Sequence, residues 1–354
     1  MIKSIKATRI RRGILILIVL FLLLLRISLA THTWNTLPDA TDICFVQPVP
    51  YSLLESSGDE TAIARAYSQE AGVLRAHASS NPIEVEAIQT TDKYDDIFPL
   101  ALIRGSYFLA PTYYNNIKSI VISEDLSISL FLTVDCIGAS LWLDDNEYSV
   151  CGIYRSDHSI PHELSTNGVD RVYTSHPNPY DSKYAINGII INTAALGTLT
   201  FDYTSVSDYK TMDYSNMRAV LRQQGLLLAF FTTILAGVCF FKGCVSHHFS
   251  SRRTVWIIKA AIVIAFGAAT IVLFSQFTFP GSYLPPSGIF DFHHYLSTFI
   301  GQVQIANATS NPLGLAYSYT VLFCAALDGI LLLIFGVCAS GYIHTTSYSN
   351  HRGK

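Results

Sequence analysis

Few residues in this chain have the types and spacing that catalysis or metal binding requires. Two histidine pairs, His247-His248 and His293-His294, could contribute to a metal site, but adjacent residues rarely hold one ion without further ligands. The seven cysteines include no C-x-x-C pair. The motifs G-x-x-x-x-G-K-[ST], G-x-S-x-G and H-E-x-x-H are absent from the sequence. We therefore predict that the chain is not itself an enzyme and uses no cofactor.

Two charged residues lie inside long apolar segments. Lys259 is one turn from the start of its segment, where a lysine can extend its ammonium to the membrane surface. Asp328 lies near the middle of "CAALDGILLL", where an ionised carboxylate costs roughly 2.5–3.5 kcal/mol. We hypothesise that Asp328 marks a helix contact that transmits motion, with Lys259 or a polar group of a second subunit as its partner. A neutral, hydrogen-bonded Asp328 is the structural alternative.

Apolar residues are concentrated in four blocks. Half of the chain is hydrophobic and 14% is charged, and the blocks cover residues 13–25, 226–241, 255–274 and 317–342. A membrane-spanning helix needs about 20 apolar residues. The last three blocks have that length or approach it, which indicates a membrane protein.

The first block leaves two alternatives open. Its 13 apolar residues span a bilayer only if Arg26 reaches the surface and residues 27–30 are included. The basic segment before it and the small residues Ser28 and Ala30 also fit a cleaved signal peptide.

Charge is distributed very unevenly around these blocks. The N-terminal segment, the loop "KGCVSHHFSSRR" and the C-terminal tail contain ten basic residues and no acidic residue. Residues 31–225 contain 24 acidic and 11 basic residues, a net charge of −13. Because basic flanks stay in the cytoplasm, both termini and the short loop are predicted to be cytoplasmic and residues 31–220 extracytoplasmic.

The predicted fold class is an α-helical membrane protein with four transmembrane helices and a large α+β extracytoplasmic domain inserted between the first and the second. The predicted segments are 1–30 (basic cytoplasmic N-terminus and first helix, or signal peptide), 31–220 (extracytoplasmic domain), 221–242 (second helix), 243–254 (cytoplasmic loop), 255–275 (third helix), 276–314 (extracytoplasmic loop), 315–342 (fourth helix) and 343–354 (cytoplasmic tail).

The extracytoplasmic segment mixes helix and strand patterns. Residues 60–78 have the composition of a helix, whereas "SIVIS", "ASLWL", "EYSVCGIY", "NGIIIN" and "TLTFDY" are typical of strands. Asp144-Asp145-Asn146 predicts a hairpin turn, and Ser123 can cap a helix that begins at Glu124. Gly138 and Gly152 suit positions where the backbone turns or approaches a neighbour closely. Cys44, Cys136 and Cys151 lie in this segment, and their spacing also permits a Cys136–Cys151 disulfide.

Three stretches in succession, "LIRGSYF", "IKSIVISEDLSISLF" and "CIGASLWLDDNEYSVCGIY", carry a family resemblance. In order and spacing over about 50 residues they resemble the extracytoplasmic core domain of MacB/FtsX-like ABC-transporter permeases of the Gram-positive type. The matching positions are Gly105, Phe108, Val121, Ile122, Ser123, Glu124, Leu126, Leu130, Phe131, Ile137, Gly138, Leu141, Leu143, Tyr148, Val150, Gly152 and Ile153.

This resemblance implies a permease subunit in the plasma membrane of a bacterium that relays ATPase-driven motion to its extracytoplasmic domain, for export or envelope signalling. The implied partners are a separate ABC ATPase, a second permease in a homo- or heterodimer, and the lipid bilayer; no nucleic acid is expected. Lys242, Arg252 and Arg253 mark the candidate ATPase-coupling loop.

That loop departs from the family pattern. The family segment is often close to R-R-x-E-I-G-I-R-R-A-L-G-A, whereas "FKGCVSHHFSSRRTVW" has no acidic residue and no apolar docking stripe. A degenerate permease-like scaffold or sensor without ATPase coupling is therefore the alternative interpretation.

Overall fold

The computed structural model describes residues 2–63, 66–77, 81–91, 93–108, 117–175, 185–205, 208–243, 252–278, 283–284, 286, 288 and 291–351. Within these ranges the α-helices are α1 (Ile2–Thr36), α2 (Ser52–Ser57), α3 (Glu60–Ile63), α4 (Glu124–Phe131), α5 (Ile160–Thr166), α6 (Tyr214–Gly243), α7 (Arg252–Ser275), α8 (Phe292–Ala308) and α9 (Pro312–His351).

Four of these helices are long and apolar enough to cross a membrane. The qualifying stretches are Leu17–Thr36 of α1, Tyr214–Phe241 of α6, Trp256–Ser275 of α7 and Pro312–Ala339 of α9. Mean hydropathy in these stretches runs from 1.9 to 2.6. The sequence between the first and the second folds as an α+β domain, so the predicted fold class is confirmed.

The chain divides into two compact units. One consists of Met1–Asn35, Asn216–Tyr295 and Thr320–Lys354, and contains most of the apolar helices. The other consists of Thr36–Ser215 and Leu296–Tyr319, and contains the sheet together with the end of α8 and the start of α9.

The second unit is built on one large mixed sheet. Its strands in the described residues are β1 (Ala40–Pro50), β2 (Ala66–Arg75), β3 (Ile83–Thr90), β4 (Leu102–Gly105), β5 (Ser119–Ser123), β6 (Ser140–Leu143), β7 (Asn146–Tyr154), β8 (Asp170–Ser175), β9 (Ala185–Asn192) and β10 (Tyr209–Asp213). The spatial order is β10-β1-β9-β2-β3-β8-β5-β7-β4, and β6 pairs with β2 and β7. The strand β1, which follows α1 in the sequence, and the strand β10, which directly precedes α6, are antiparallel neighbours at one edge.

Two apolar clusters lie in the described residues of this unit. One lies around β5, β7 and α4, with Ile120, Ile122, Leu126, Leu141 and Ile153 at 0–1% exposure. The other lies around β1 and β9 and includes Ile43, Tyr51, Leu54, Ile189 and Ile191. Burying each such side chain contributes about 1.5–3 kcal/mol to folding. Each cluster therefore stabilises the part of the sheet against which it packs.

Several local predictions in this domain are confirmed. Ser123 caps α4, since its side chain accepts a hydrogen bond from the Leu126 amide at 3.2 Å. Asp144 adopts a positive φ of 51° in the turn between β6 and β7. Gly152 lies where a Cβ would be 2.6 Å from the Ser106 carbonyl oxygen, so this glycine permits a close backbone approach.

Two secondary-structure predictions are wrong. The helix predicted for residues 60–78 ends at Ile63, and β2 occupies Ala66–Arg75 because it pairs with β3, β6 and β9 in the sheet. Tertiary pairing thus overrides the helical composition. The strand predicted for "TLTFDY" is absent, because the Asp59 carboxylate, instead of a neighbouring strand, accepts hydrogen bonds from the backbone amides of Thr200 and Phe201.

Candidate functional site: a buried polar junction and an ion pair between apolar helices

Asp42 is a buried carboxylate at the centre of a hydrogen-bonded network, which we call the Asp42 junction (Asp42, Tyr67, Tyr214 and Asn311). It lies on β1 and is 2% exposed. The Tyr67 hydroxyl donates to its two carboxylate oxygens at 3.0 and 3.2 Å. The Tyr214 hydroxyl and the Asn311 amide donate to Oδ2, each at 3.2 Å. These donors offset the large cost of burying a carboxylate.

Strand pairing brings Tyr214 to this carboxylate. Asp42 lies opposite Met212 in the antiparallel ladder between β1 and β10. α6 begins at Tyr214, directly after β10 ends at Asp213. The first residue of an apolar helix is therefore hydrogen-bonded to the strand that follows another apolar helix, α1.

Asn311 enters the junction as the cap of α9. Its Oδ1 accepts a hydrogen bond from the Gly314 amide at 3.0 Å, and Pro312 occupies the first helical position, where a missing N–H costs nothing. With Oδ1 committed to the cap, Nδ2 donates to the Tyr214 hydroxyl at 2.6 Å and to Asp42. One side chain thus starts α9 and joins it to β1.

Burial governs the protonation of the junction. It raises the pKa of Asp42 to about 6, although hydrogen bonds from Tyr67, Cys44 and Tyr214 and the positive charge of Arg171 act in the opposite direction. Burial, reinforced by the charge of Asp42, raises the pKa of the Cys44 thiol and of the Tyr67 hydroxyl well above their usual ranges. The cysteine and tyrosine therefore stay protonated at neutral pH, and the site holds structure together without offering a nucleophile.

A second polar chain reaches the turn before α9. Arg171 on β8 contacts Glu86 on β3, with Nε and Oε2 2.5 Å apart. Gln69 on β2 donates a short hydrogen bond to Glu86 and another, at 3.3 Å, to the Ser310 carbonyl oxygen. Ser310 has a positive φ of 48° in that turn. Two strands, β1 and β2, thus bind the two residues that precede α9.

Arg26 and Asp328 form a buried ion pair between α1 and α9. The Arg26 Nε and the Asp328 Oδ1 are 3.0 Å apart, and the two side chains are 9% and 12% exposed. A second hydrogen bond joins Nη2 to Oδ2 at 3.4 Å. The geometry is that of a forked guanidinium–carboxylate contact.

The same two helices meet again farther along. The hydroxyls of Thr33 on α1 and Thr320 on α9 are 2.7 Å apart. A third helix, α6, closes on the ion pair through Gly225, where a Cβ would be 3.1 Å from the Arg26 Nη1. Small and polar residues thus bring these helices together, as is usual where helices associate without a hydrophobic driving force.

The structure separates the residues that the sequence analysis singled out. Asp328 pairs with Arg26, and Lys259 lies instead over the rings of Phe241 and Trp256, at 5.0 and 5.8 Å from their centroids. Lys242 lies near the end of α6, and Arg252 and Arg253 open α7. Their side chains, and residues 244–251 between the helices, lie outside the described part of the chain.

The histidines and cysteines in the described ranges do not come together in a metal site. His293 and His294 lie in α8, His247 and His248 lie outside the described residues, and the described part of the chain contains no group of three or more potential metal ligands. Cys136 and Cys151 are both free thiols, so the disulfide that their spacing permitted is not formed.

The junction residues were missed by sequence reasoning. "TDICF" around Asp42 resembles any half-polar strand, and neither Tyr67 nor Tyr214 has a local signal. The Asn311-Pro312 pair was the available clue, because it is a standard way to begin a helix. Arg26 was noticed only as a charge that would have to reach the membrane surface.

Comparison with solved structures identifies domains of similar fold. The periplasmic region of MacB from Actinobacillus actinomycetemcomitans is 13% identical over 52% of this chain and 92% of that chain, with a TM-score of 0.39. The extracellular domain of the noncanonic ABC-type transporter YknZ from Gram-positive bacteria is 13% identical over 49% of this chain and 99% of that chain, with a TM-score of 0.36. No family model and no curated protein sequence matches the chain. These matches concern the domain fold and carry no functional argument.

Proposed function

We propose that this chain is the membrane subunit of an ABC transporter of the MacB/FtsX-like class, which relays ATPase-driven motion to its extracytoplasmic domain for export or envelope signalling. The observation that carries the proposal is the Asp42 junction, in which one buried carboxylate joins the strand that follows α1 to the first residue of α6 and the cap of α9.

A mechanical relay needs stiff connections between helix ends and domain. β1 begins at Ala40, four residues after α1 ends at Thr36, and α6 follows β10 without a linker. β1 and β10 are hydrogen-bonded to each other over five residue pairs. A displacement of one helix end must therefore move this strand pair or break hydrogen bonds to a charged group, each contributing about 1.5–3 kcal/mol.

The membrane orientation in this proposal follows the charge pattern, whereas the bacterial plasma membrane, the separate ATPase and the dimer are what the family resemblance implies. The two termini and residues 242–253 together contain ten basic residues and no acidic residue, so they lie in the cytoplasm of a bacterium. Residues 31–220 lie outside the plasma membrane. ATP is hydrolysed by a separate ABC subunit that docks near Lys242, Arg252 and Arg253, and the permease works as a dimer with itself or a related chain.

The first test is capture of the ATPase. The tagged full-length chain is purified in mild detergent from its native cells and its partners are identified by mass spectrometry. We expect a stoichiometric nucleotide-binding subunit that is lost when Arg252 and Arg253 are both changed to glutamate, while the matched charge reversal of Arg352 and Lys354 retains it. Recovery of envelope proteins alone, even after cross-linking, would instead identify a scaffold or sensor without ATPase coupling.

The second test concerns the relay itself. In the captured complex, hydrogen exchange of β1, β10 and the turn before α9 is expected to change on ATP binding. Tyr214→Phe removes a donor to Asp42 and should abolish that change while the ATPase still co-purifies. Tyr209→Phe makes the same chemical change on the neighbouring strand β10, away from Asp42, and should leave it intact. An unaltered response in the Tyr214 variant would refute a relay through the junction.

A further inference from the structure

A lateral groove opens between α6, α7 and α9, all within the unit that contains the apolar helices. Its volume is about 870 Å³. We call it the Phe266 groove, and its walls include Ala236, Phe240, Phe266, Phe335 and Cys338. α6 and α7 approach each other closely at Gly237, where a Cβ would be 3.1 Å from the Cγ of Phe266.

The hydroxyl groups of the two threonines that line the groove already donate hydrogen bonds within α6. The Thr232 hydroxyl donates to the Leu228 and Ala229 carbonyl oxygens at 2.9 and 3.0 Å, and the Thr233 hydroxyl donates to Ala229 at 2.7 Å. Phe240 and Phe266 stack with ring centroids 5.7 Å apart. Apart from the thiols of Cys239 and Cys338, the side chains that remain are aliphatic or aromatic, so the groove fits an occupant that needs few hydrogen bonds.

A cation lies at one end of this groove. Lys259 precedes Phe266 by seven residues, which places it on the same face of α7 and about 10 Å along the axis. Its ammonium lies over the ring of Phe241, the residue after the groove-lining Phe240. Trp256, which is 72% exposed, is its other ring contact. Tryptophan in such a position is typical of the level of the lipid headgroups.

Nothing in the described chain neutralises this cation. Lys259 has no carboxylate partner among the described residues. Asp328 is the one acidic residue within the four candidate membrane spans, and it is already paired with Arg26. The membrane helices of a second copy therefore have no free carboxylate to bring to Lys259.

We propose that Lys259 and the Phe266 groove together form a binding site for an anionic phospholipid. One acyl chain occupies the groove, and the headgroup phosphate contacts the Lys259 ammonium, whose N–H groups donate to no other side chain of the described residues. An acyl chain matches the apolar wall, and a phosphate supplies the charge that the described chain lacks at this position.

The test measures which lipid enters the groove. In the full-length chain reconstituted in vesicles, a bimane label is attached to Cys338, with the other cysteines replaced. Its quenching is compared for dibrominated phosphatidylglycerol and dibrominated phosphatidylcholine at equal mole fraction. We expect an approximately five-fold preference for phosphatidylglycerol, the value for one lysine near the surface. Lys259→Met should remove this preference, and Lys259→Arg should retain it.

Two further variants separate occupation of the groove from general contact of the label with bulk lipid. Ala236→Phe fills the groove and should reduce quenching by both lipids, whereas Val238→Phe, at a 44% exposed position that does not line the groove, should leave it unchanged. Equal quenching by the two lipids, or a preference that survives Lys259→Met, would overturn the proposal. Disulfide cross-linking of Cys338 between copies, without lipid preference, would show a second copy in the groove and would also overturn it.

Discussion

Arg26 and Asp328 are separated by 302 positions in the sequence, yet the Arg26 Nε donates to the Asp328 carboxylate at 3.0 Å. The pair joins the helix that precedes the sheet domain to the last apolar helix. Because each charge neutralises the other, two residues that are costly in hydrocarbon become compatible with spanning helices.

Breaking one half of this pair should be more harmful than removing both. Asp328→Leu or Arg26→Met alone leaves a buried uncompensated charge, and we expect a loss of about 3–5 kcal/mol in the free energy of unfolding. The double variant should recover most of that loss. Unfolding of the full chain in detergent provides the measurement, and Arg222→Met, at an exposed position on α6, is the control. Additive losses in the double variant would contradict a direct pair.

The close approach of α6 to Arg26 gives a second prediction. Gly225→Val places carbon atoms against the guanidinium, since even a Cβ would be 3.1 Å from Nη1. We expect destabilisation of about 1–3 kcal/mol from overpacking. Gly267→Val on α7 is the matched control, because a Cβ there meets nothing within 4 Å. Equal effects of the two substitutions on the thermal unfolding midpoint would refute close packing at Gly225.

Asp42 should make the stability of the domain depend on pH in a defined direction. Burial raises its pKa in the folded state to about 6 from the ordinary value of 3.8, so the folded state binds the proton more tightly. This contribution is fully present below pH ~4 and is lost as the pH rises through ~6, a total of about 3 kcal/mol. Asp42→Asn should flatten that part of the profile.

The surroundings of Asp42 define the controls for this measurement. The titratable or charged neighbours of Asp42 are Tyr67, Cys44, Tyr214 and Arg171. The ordinary pKa values of tyrosine, cysteine and arginine side chains all lie above about 8, outside the range from pH 4 to 6. Asp208→Asn removes an exposed carboxylate just before β10 and should leave the pH dependence of stability unchanged. A slope that persists in Asp42→Asn would assign the effect to another group.

A substitution of Gly105, the last residue of β4, tests the close backbone contact with β7. Gly105 has a positive φ of 71°, and a Cβ there would be 2.1 Å from the Cys151 carbonyl oxygen. Gly168 has a similar φ of 72° but open space around it. Gly168→Ala should therefore cost about 1–2 kcal/mol from backbone strain alone, and Gly105→Ala distinctly more because of the added clash. Thermal unfolding of the two variants compares them, and equal midpoints would contradict the tight contact.

The later apolar helices, the α+β insertion and the hairpin around Asp144 could be predicted from the sequence, because apolar block length, turn residues and strand periodicity are local properties. The cap at Ser123 and the special position of Gly152 were readable for the same reason. The need of Asp328 for a polar partner was also predictable, since a carboxylate in an apolar block is costly without one.

The partners that these residues find could not be predicted, because they come from distant parts of the chain. Arg26 rather than Lys259 pairs with Asp328, and Asp42 collects donors from Tyr67, Tyr214 and Asn311, which are 25, 172 and 269 positions away. Residues 66–75 became a strand against their helical composition because neighbouring strands satisfy their backbone hydrogen bonds. Such choices depend on the free energy of long-range pairing, which exceeds local propensity and leaves no periodic signal in the sequence.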